Sequence, residues 1–198
     1  PVDLSKVFYI NNGVDLEQFD YNCEHFPLED KDLTDPTVFK VVYAGSIRKG
    51  NNLGLLIDAA KELDDPSIRI LIWGEGNELP TLRQRVQDEN VSNVVFKGFA
   101  NKKYIPYITS HANLNFAHST PSAIYRYGIS YNKLFEYLAA GVPVLTCCPT
   151  PYNPAIQGNA GIDAGEPTAA GLVEAIRSIA DMDSDNTDVT IHELKCGQ

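Results

Sequence analysis

Cations are scarce in this chain of 198 residues: 16 Lys and Arg stand against 26 Asp and Glu, a net charge of −10. No basic cluster comparable to a nucleic-acid footprint exists, which excludes DNA, RNA or an anionic bilayer as the expected direct partner. A pocket for a small anion needs only two or three cations and is not excluded. No window approaches the roughly 18 consecutive apolar residues of a membrane span, and the first residues lack the charged and apolar regions of a signal peptide. Cysteine is sparse too. Cys23, Cys147, Cys148 and Cys196 show neither a CxxC pair nor metal spacing. The adjacent Cys147 and Cys148 are poorly placed to bridge each other. Reduced thiols in a cytoplasmic protein, without structural zinc, are the expectation.

Several familiar motifs are nearly present. Gly45-x4-Gly50 starts like a phosphate loop, but Asn51-Asn52 stand where Lys and a hydroxyl must follow, which excludes that NTPase class. Gly74-Glu75-Gly76 starts like a dinucleotide fingerprint, yet Leu79 fills its last slot, so a tight turn is the plainer reading. Asp181-Met182-Asp183 imitates a metal-binding DxD but lies in an acidic tail rather than after a strand. No nucleophile elbow occurs, and His25, His111, His118 and His192 are scattered. His118 follows a strand and precedes a long loop, where structural duty and a place facing a ligand are both open. Tyr125, Arg126 and Tyr127 in that loop either cover a ligand or pack against another domain.

What is present is a regular alternation across 43% hydrophobic residues. Strands are expected at 39–43, 68–73, 94–96, 112–116 and 142–147. Helices are expected at 53–63, 79–89, 102–110, 133–140 and 168–180. A first short strand at 7–10 leads into an irregular connector to residue 37, and an acidic tail runs over 181–198. Strand–helix alternation of this length indicates βαβ units and an α/β, Rossmann-like, doubly wound parallel sheet over 38–180. Ligands of such sheets bind outside the carboxyl ends of the strands. The Gly-rich strand ends at 45–50, 74–76 and 98 therefore share a rim with the stretch Gly128–Leu145. There a polar approach, Ser130-Tyr131-Asn132, enters a short helix that Gly141 stops. Lys133 and Glu136, three apart, share one face near its start. The open N–H groups and the cation suit phosphate, and the carboxylate suits a ribose diol. The plainer alternative is a surface Lys–Glu pair.

These segments in this order resemble the C-terminal, donor-binding domain of a retaining glycosyltransferase of the GT-B fold, family 4 (group 1). The resemblance rests on Asn12-Gly13-Val14-Asp15, on Tyr43-Ala44-Gly45-Ser46 with Lys49-Gly50, and on Gly74-Glu75-Gly76. It continues through Val94–Phe99 and Lys133–Val144. It implies transfer of a sugar from an NDP-sugar, UDP-linked by expectation, with anomeric retention and no bound metal. Lys49 and Arg48 would act as the catalytic cations on the departing diphosphate. Gly45 and Ser46 would approach the donor, and Gly98 and Phe99 would meet the base. Lys133 and Leu134 would lie by the phosphates at the helix start, and Glu136 would hold the ribose.

The chain departs from the family pattern in three ways. Gly128 fills the slot of a first, sugar-contacting glutamate, as in a sub-branch with Ser-Lys before the helix. Ser46 stands where Arg usually follows Gly. The N-terminal acceptor lobe is absent, which implies a fragment, inactive alone, of an enzyme of polysaccharide or lipid-linked glycan synthesis with peripheral membrane contact. A non-catalytic interaction domain and an epimerase-type lobe are the alternatives.

Overall fold

Short runs rich in β-branched and aliphatic residues become six parallel strands: β1 (Phe39–Ala44), β2 (Ile68–Trp73), β3 (Val94–Gly98), β4 (Leu114–His118), β5 (Val144–Cys147) and β6 (Gly161–Asp163). The computed structural model describes residues 3–8 and 10–184. The strand order is β3-β2-β1-β4-β5-β6. The chain builds outward from β1 to β3, then returns to the other side of β1 for β4. The two halves diverge between β1 and β4, the crevice where ligands of such sheets bind.

Both faces of the sheet are covered, which is why its strands read as continuous apolar runs. Val41 and Tyr43 point to one side, with Ile70, Ile72, Leu114 and Phe116. Helices α2 (Leu53–Leu63) and α7 (Ala169–Ser184) cover them through Leu56, Ile57, Leu172 and Ile176. Val42 and Ala44 point to the other side, with Leu71 and Trp73. There α4 (Ile105–Ser110) and α5 (Asn132–Ala139) supply Ile108, Leu134 and Tyr137. Helix α3 (Leu79–Asp88) packs by Leu82 beside β2.

Four stretches differ from expectation. The strand expected at 7–10 is not formed by the residues described there; Val7, Phe8 and Ile10 are exposed and lack regular structure. The expected connector contains a helix, α1 (Leu16–His25), whose N-cap Asp15 accepts a hydrogen bond from the Gln18 N–H. Its polar sequence hid it, since it buries only Phe19. The segment after β5 adds the one-turn helix α6 (Pro154–Gln157) and edge strand β6. The last helix continues to Ser184, into the stretch expected as tail; 185–198 lie outside the described residues.

The connector from Pro27 to Val38 is fastened to the edge of the sheet by charge. Lys97 Nζ donates to Asp30 Oδ1 at 2.6 Å and Asp32 Oδ2 at 2.5 Å, and Arg69 Nη1 donates to Asp32 Oδ1 at 2.9 Å. These bonds hold the Asp32 carboxyl below its usual range, led by the one from Lys97. Leu33 is buried beneath them.

Candidate functional site

Three strand-end loops interlock at the carboxyl edge of the sheet. The ladder continues beyond the strands: Gly45 N–H donates to Trp73 O at 3.0 Å, Ile47 N–H to Glu75 O at 2.8 Å, and Gly74 N–H to Gly98 O at 2.8 Å. The loops approach so closely that a Cβ on Gly74, whose φ is +143°, would lie 1.8 Å from Gly45 O. One on Gly76 would lie 2.0 Å from Ile47 O. The Gly-x-Gly is thus a packing device between loops.

Helix α5 is anchored above them. Buried Tyr137 accepts from Ala44 N–H at 2.9 Å and donates from its hydroxyl to Ala44 O at 3.1 Å, filling both backbone groups at the end of β1. No side chain caps the first turn of α5 at Tyr131, so that turn is available to a ligand. The approach to it is pinned from the N-terminal segment. Asn11 Nδ2 donates to Tyr152 Oη at 2.6 Å, and Asn12 N–H donates to Ser130 Oγ at 3.1 Å.

Between the loops and α5 lies a cavity of about 500 Å³. Ala44, Gly45, Ser46, Trp73, Gly74 and Glu75 line it from the first two loops. Phe99, Ala100, Lys102 and Ile105 form its third side, and Asn132, Lys133 and Glu136 its fourth. One end is apolar, with Phe99 68% exposed at the mouth and Trp73 as buried floor. The other end carries charge. Lys133 Nζ donates to Tyr43 Oη at 3.1 Å and Asn51 Oδ1 at 3.4 Å, and lies 4.6 Å from the Tyr43 ring centre. Burial lowers its ammonium to about 8. Glu136 is raised, chiefly by burial, and its side chain is 23% exposed with Lys102 Nζ 3.9 Å away. Glu136 also borders a second cavity of about 490 Å³ that reaches α1 through Gln18 and Asn22.

Of the residues expected from sequence, the cavity gathers Gly45, Ser46, Phe99, Lys133 and Glu136. Gly98 stands just outside, its carbonyl used by Gly74. Leu134 is fully buried, so its side chain belongs to the core and only its backbone is near the helix start. Arg48 and Lys49 are exposed on the first loop and do not line the cavity. That loop is tied to the one after β4, since Thr120 Oγ1 donates to Lys49 O at 3.2 Å. Sequence reasoning missed Tyr43, Asn51, Trp73, Glu75, Lys102 and Ile105. A strand-end position was the available signal for Tyr43 and Trp73; nothing marked Asn51.

The slot at Gly128 is closed. Its φ is +108°, and a Cβ there would lie 2.8 Å from Tyr152 Cβ. His118 is fully buried, with Nδ1 2.5 Å from Cys147 O, and it does not line the cavity. Burial lowers its pKa, so the ring is neutral and Nδ1 carries the proton toward the carbonyl. Burial likewise pushes the Cys147 thiol up to about 12, leaving it inert. No group of three metal-ligating side chains occurs among the described residues, and none of their helices is long and apolar enough to cross a membrane.

The chain is similar to solved glycosyltransferase structures. A glycosyltransferase of Rickettsia africae aligns with a TM-score of 0.72 at 15% identity, over 98% of this chain and 52% of that one. HepE of Anabaena, in complex with UDP and glucose, aligns with a TM-score of 0.68 at 18% identity, over 93% and 50%. The C-terminal domain of the group 1 glycosyl transferase LpcC from Francisella tularensis aligns with a TM-score of 0.65 at 18% identity, over 92% and 96%. The chain thus spans about half of the first two and nearly all of the third. No curated protein matches it. Its sheet, with helices on both faces, has the architecture of one lobe of a GT-B glycosyltransferase. The sequence profile of the glycosyl transferases group 1 covers residues 38–182, the whole sheet and the cavity above it, and the chain belongs to that family.

Proposed function

We propose that this chain is the donor-binding half of a glycosyltransferase that moves a sugar from an NDP-sugar, UDP-linked in the first instance, to a glycan or lipid-linked acceptor with retention. One observation carries the reading: the cavity above the carboxyl ends of β1, β2 and β3 joins an apolar end to an uncapped helix start with a cation and a carboxylate. A nucleoside diphosphate has the same sequence of parts. The base fits the Phe99 end, the ribose hydroxyls suit Glu136 as acceptor, and the diphosphate suits the α5 N–H groups and Lys133. HepE is a neighbour of the same fold with UDP and glucose bound.

In this reading Arg48 and Lys49, exposed on the loop beside the cavity, close on the diphosphate and stabilise the charge of the departing nucleotide. No metal is needed, because the helix start and cations do that work. The acceptor lobe is a separate part of the full enzyme, which works in the cytoplasm at a membrane face in polysaccharide synthesis. Alone, the chain binds nucleotide without transfer. The closed slot at Gly128 favours a second reading, a lobe that keeps nucleotide binding for interaction rather than catalysis.

Calorimetric titration with UDP and a panel of UDP-sugars tests the proposal. Glu136→Ala and Lys49→Ala each weaken UDP binding, by about 10- to 100-fold for loss of a charge-assisted contact. Unchanged affinity in both contradicts the site. Equal affinity for UDP and every UDP-sugar favours the second reading.

A further inference from the structure

Asn51 holds two different partners with the two ends of one amide. Its Nδ2 donates to Ser46 O at 2.7 Å and to Ser46 Oγ at 3.1 Å, while its Oδ1 accepts from Lys133 Nζ at 3.4 Å. The amide orientation is fixed by chemistry, because a carbonyl only accepts and an ammonium only donates. Tyr43 closes the same ring of contacts: its hydroxyl donates to Ser46 O at 2.7 Å and accepts from Lys133 at 3.1 Å. Ser46 and Lys133 both line the cavity and meet at this ring. Asn51 is therefore the link between the loop after β1 and the start of α5.

Its neutrality matters. A carboxylate at this place would also hold the ammonium but would cancel its charge and repel the Ser46 carbonyl. An amide oxygen, a phenol and a ring face hold the ammonium and leave its charge available to an anion. We propose that Asn51 is a positioning residue for nucleotide binding: Ser46 fixes its amide, which holds the Lys133 ammonium at the cavity wall without neutralising it. This deepens the donor-site reading and rests on its assignment of Lys133 to the phosphates.

A double-mutant cycle with UDP separates this role from mere support of the loop. Asn51→Ala weakens UDP binding by about three- to tenfold, the size of one lost hydrogen bond. In a Lys133→Ala background the same change costs nothing further, because Asn51 acts through Lys133. An equal loss in both backgrounds, or none in either, overturns the proposal. Unchanged UDP binding in Lys133→Ala alone overturns the Lys133 assignment, and the role of Asn51 falls with it.

A ligand-free measurement stands beside the cycle. Groups facing Lys133 are Tyr43 from β1, Asn51 from the loop, neutral His118 from β4 and Glu136 one turn along α5. Asn51→Asp alone adds a charge to that set. The Lys133 ammonium, followed by NMR of labelled lysine, titrates at higher pH in Asn51→Asp than in the natural protein, whereas Asn51→Ala does not raise it. An unmoved titration in Asn51→Asp contradicts the contact itself.

Discussion

Burial beside Tyr43 lowers the Lys133 ammonium to about 8, well below the roughly 10.4 of a free lysine. A diphosphate favours the charged form, so binding draws a proton onto Lys133 once the pH reaches this range. UDP affinity therefore holds below pH 7 and falls as the pH rises through about 8. Titrations at pH 8.5 in buffers of different ionisation enthalpy read net proton uptake; none there contradicts Lys133 as the phosphate cation. For stability the sign is the reverse. Between about pH 8 and 10.4 the unfolded chain binds more protons than the folded one, so Lys133 contributes a rise in stability with pH. Lys133→Met removes that rise, raises the melting temperature at pH 7 and weakens UDP binding. A cation that costs stability and neutralises no carboxylate is the mark of a group retained for a ligand.

Gly128 gives the opposite kind of evidence. Restoring a glutamate there places a side chain at φ +108° and against Tyr152. Gly128→Glu costs about 2 kcal/mol or more in urea unfolding and confers no preference for UDP-sugar over UDP. A stable Gly128→Glu variant with such a preference contradicts the closed slot.

At the scale of elements, α5 and β1 act as one piece because Tyr137 fills both backbone groups of Ala44. Tyr137→Phe leaves a buried N–H and C=O unsatisfied, so urea unfolding loses about 1–3 kcal/mol. UDP binding weakens with it, since Ala44 and Gly45 line the cavity. A loss of stability without loss of affinity places the anchor outside the site. Elements also explain what could be read in advance. The βαβ alternation was legible because strands buried on both faces are apolar throughout, and α2 and α7 carry helical periodicity. Helix α1 was not, since its sequence is polar and only Phe19 is buried. Asp15 followed three residues on by Gln18 was the one available sign. Strand β6 has three residues and exists by pairing with β5, so it carries no pattern of its own.

On the scale of the whole molecule, the parallel sheet places the cavity at its carboxyl edge, and the interlocked loops at Gly45, Gly74 and Gly98 join the ends of β1, β2 and β3 beneath it. The direction of a parallel sheet is legible in the βαβ alternation and identifies the edge where ligands bind. It did not say which side chains face the cavity. Lys133 and Glu136 were legible from spacing along one short helix, whereas Leu134 beside them turns into the core. Tyr43 and Asn51 meet Lys133 only through the fold, across sequence separations of 90 and 82 residues. Placement of UDP in a crystal of this chain tests the central claim most directly. The diphosphate is expected over the first turn of α5 within hydrogen-bond reach of Lys133, with the ribose hydroxyls on Glu136 and the base against Phe99. UDP bound away from this cavity, or no UDP in well-diffracting crystals whose cavity is open to solvent, contradicts it.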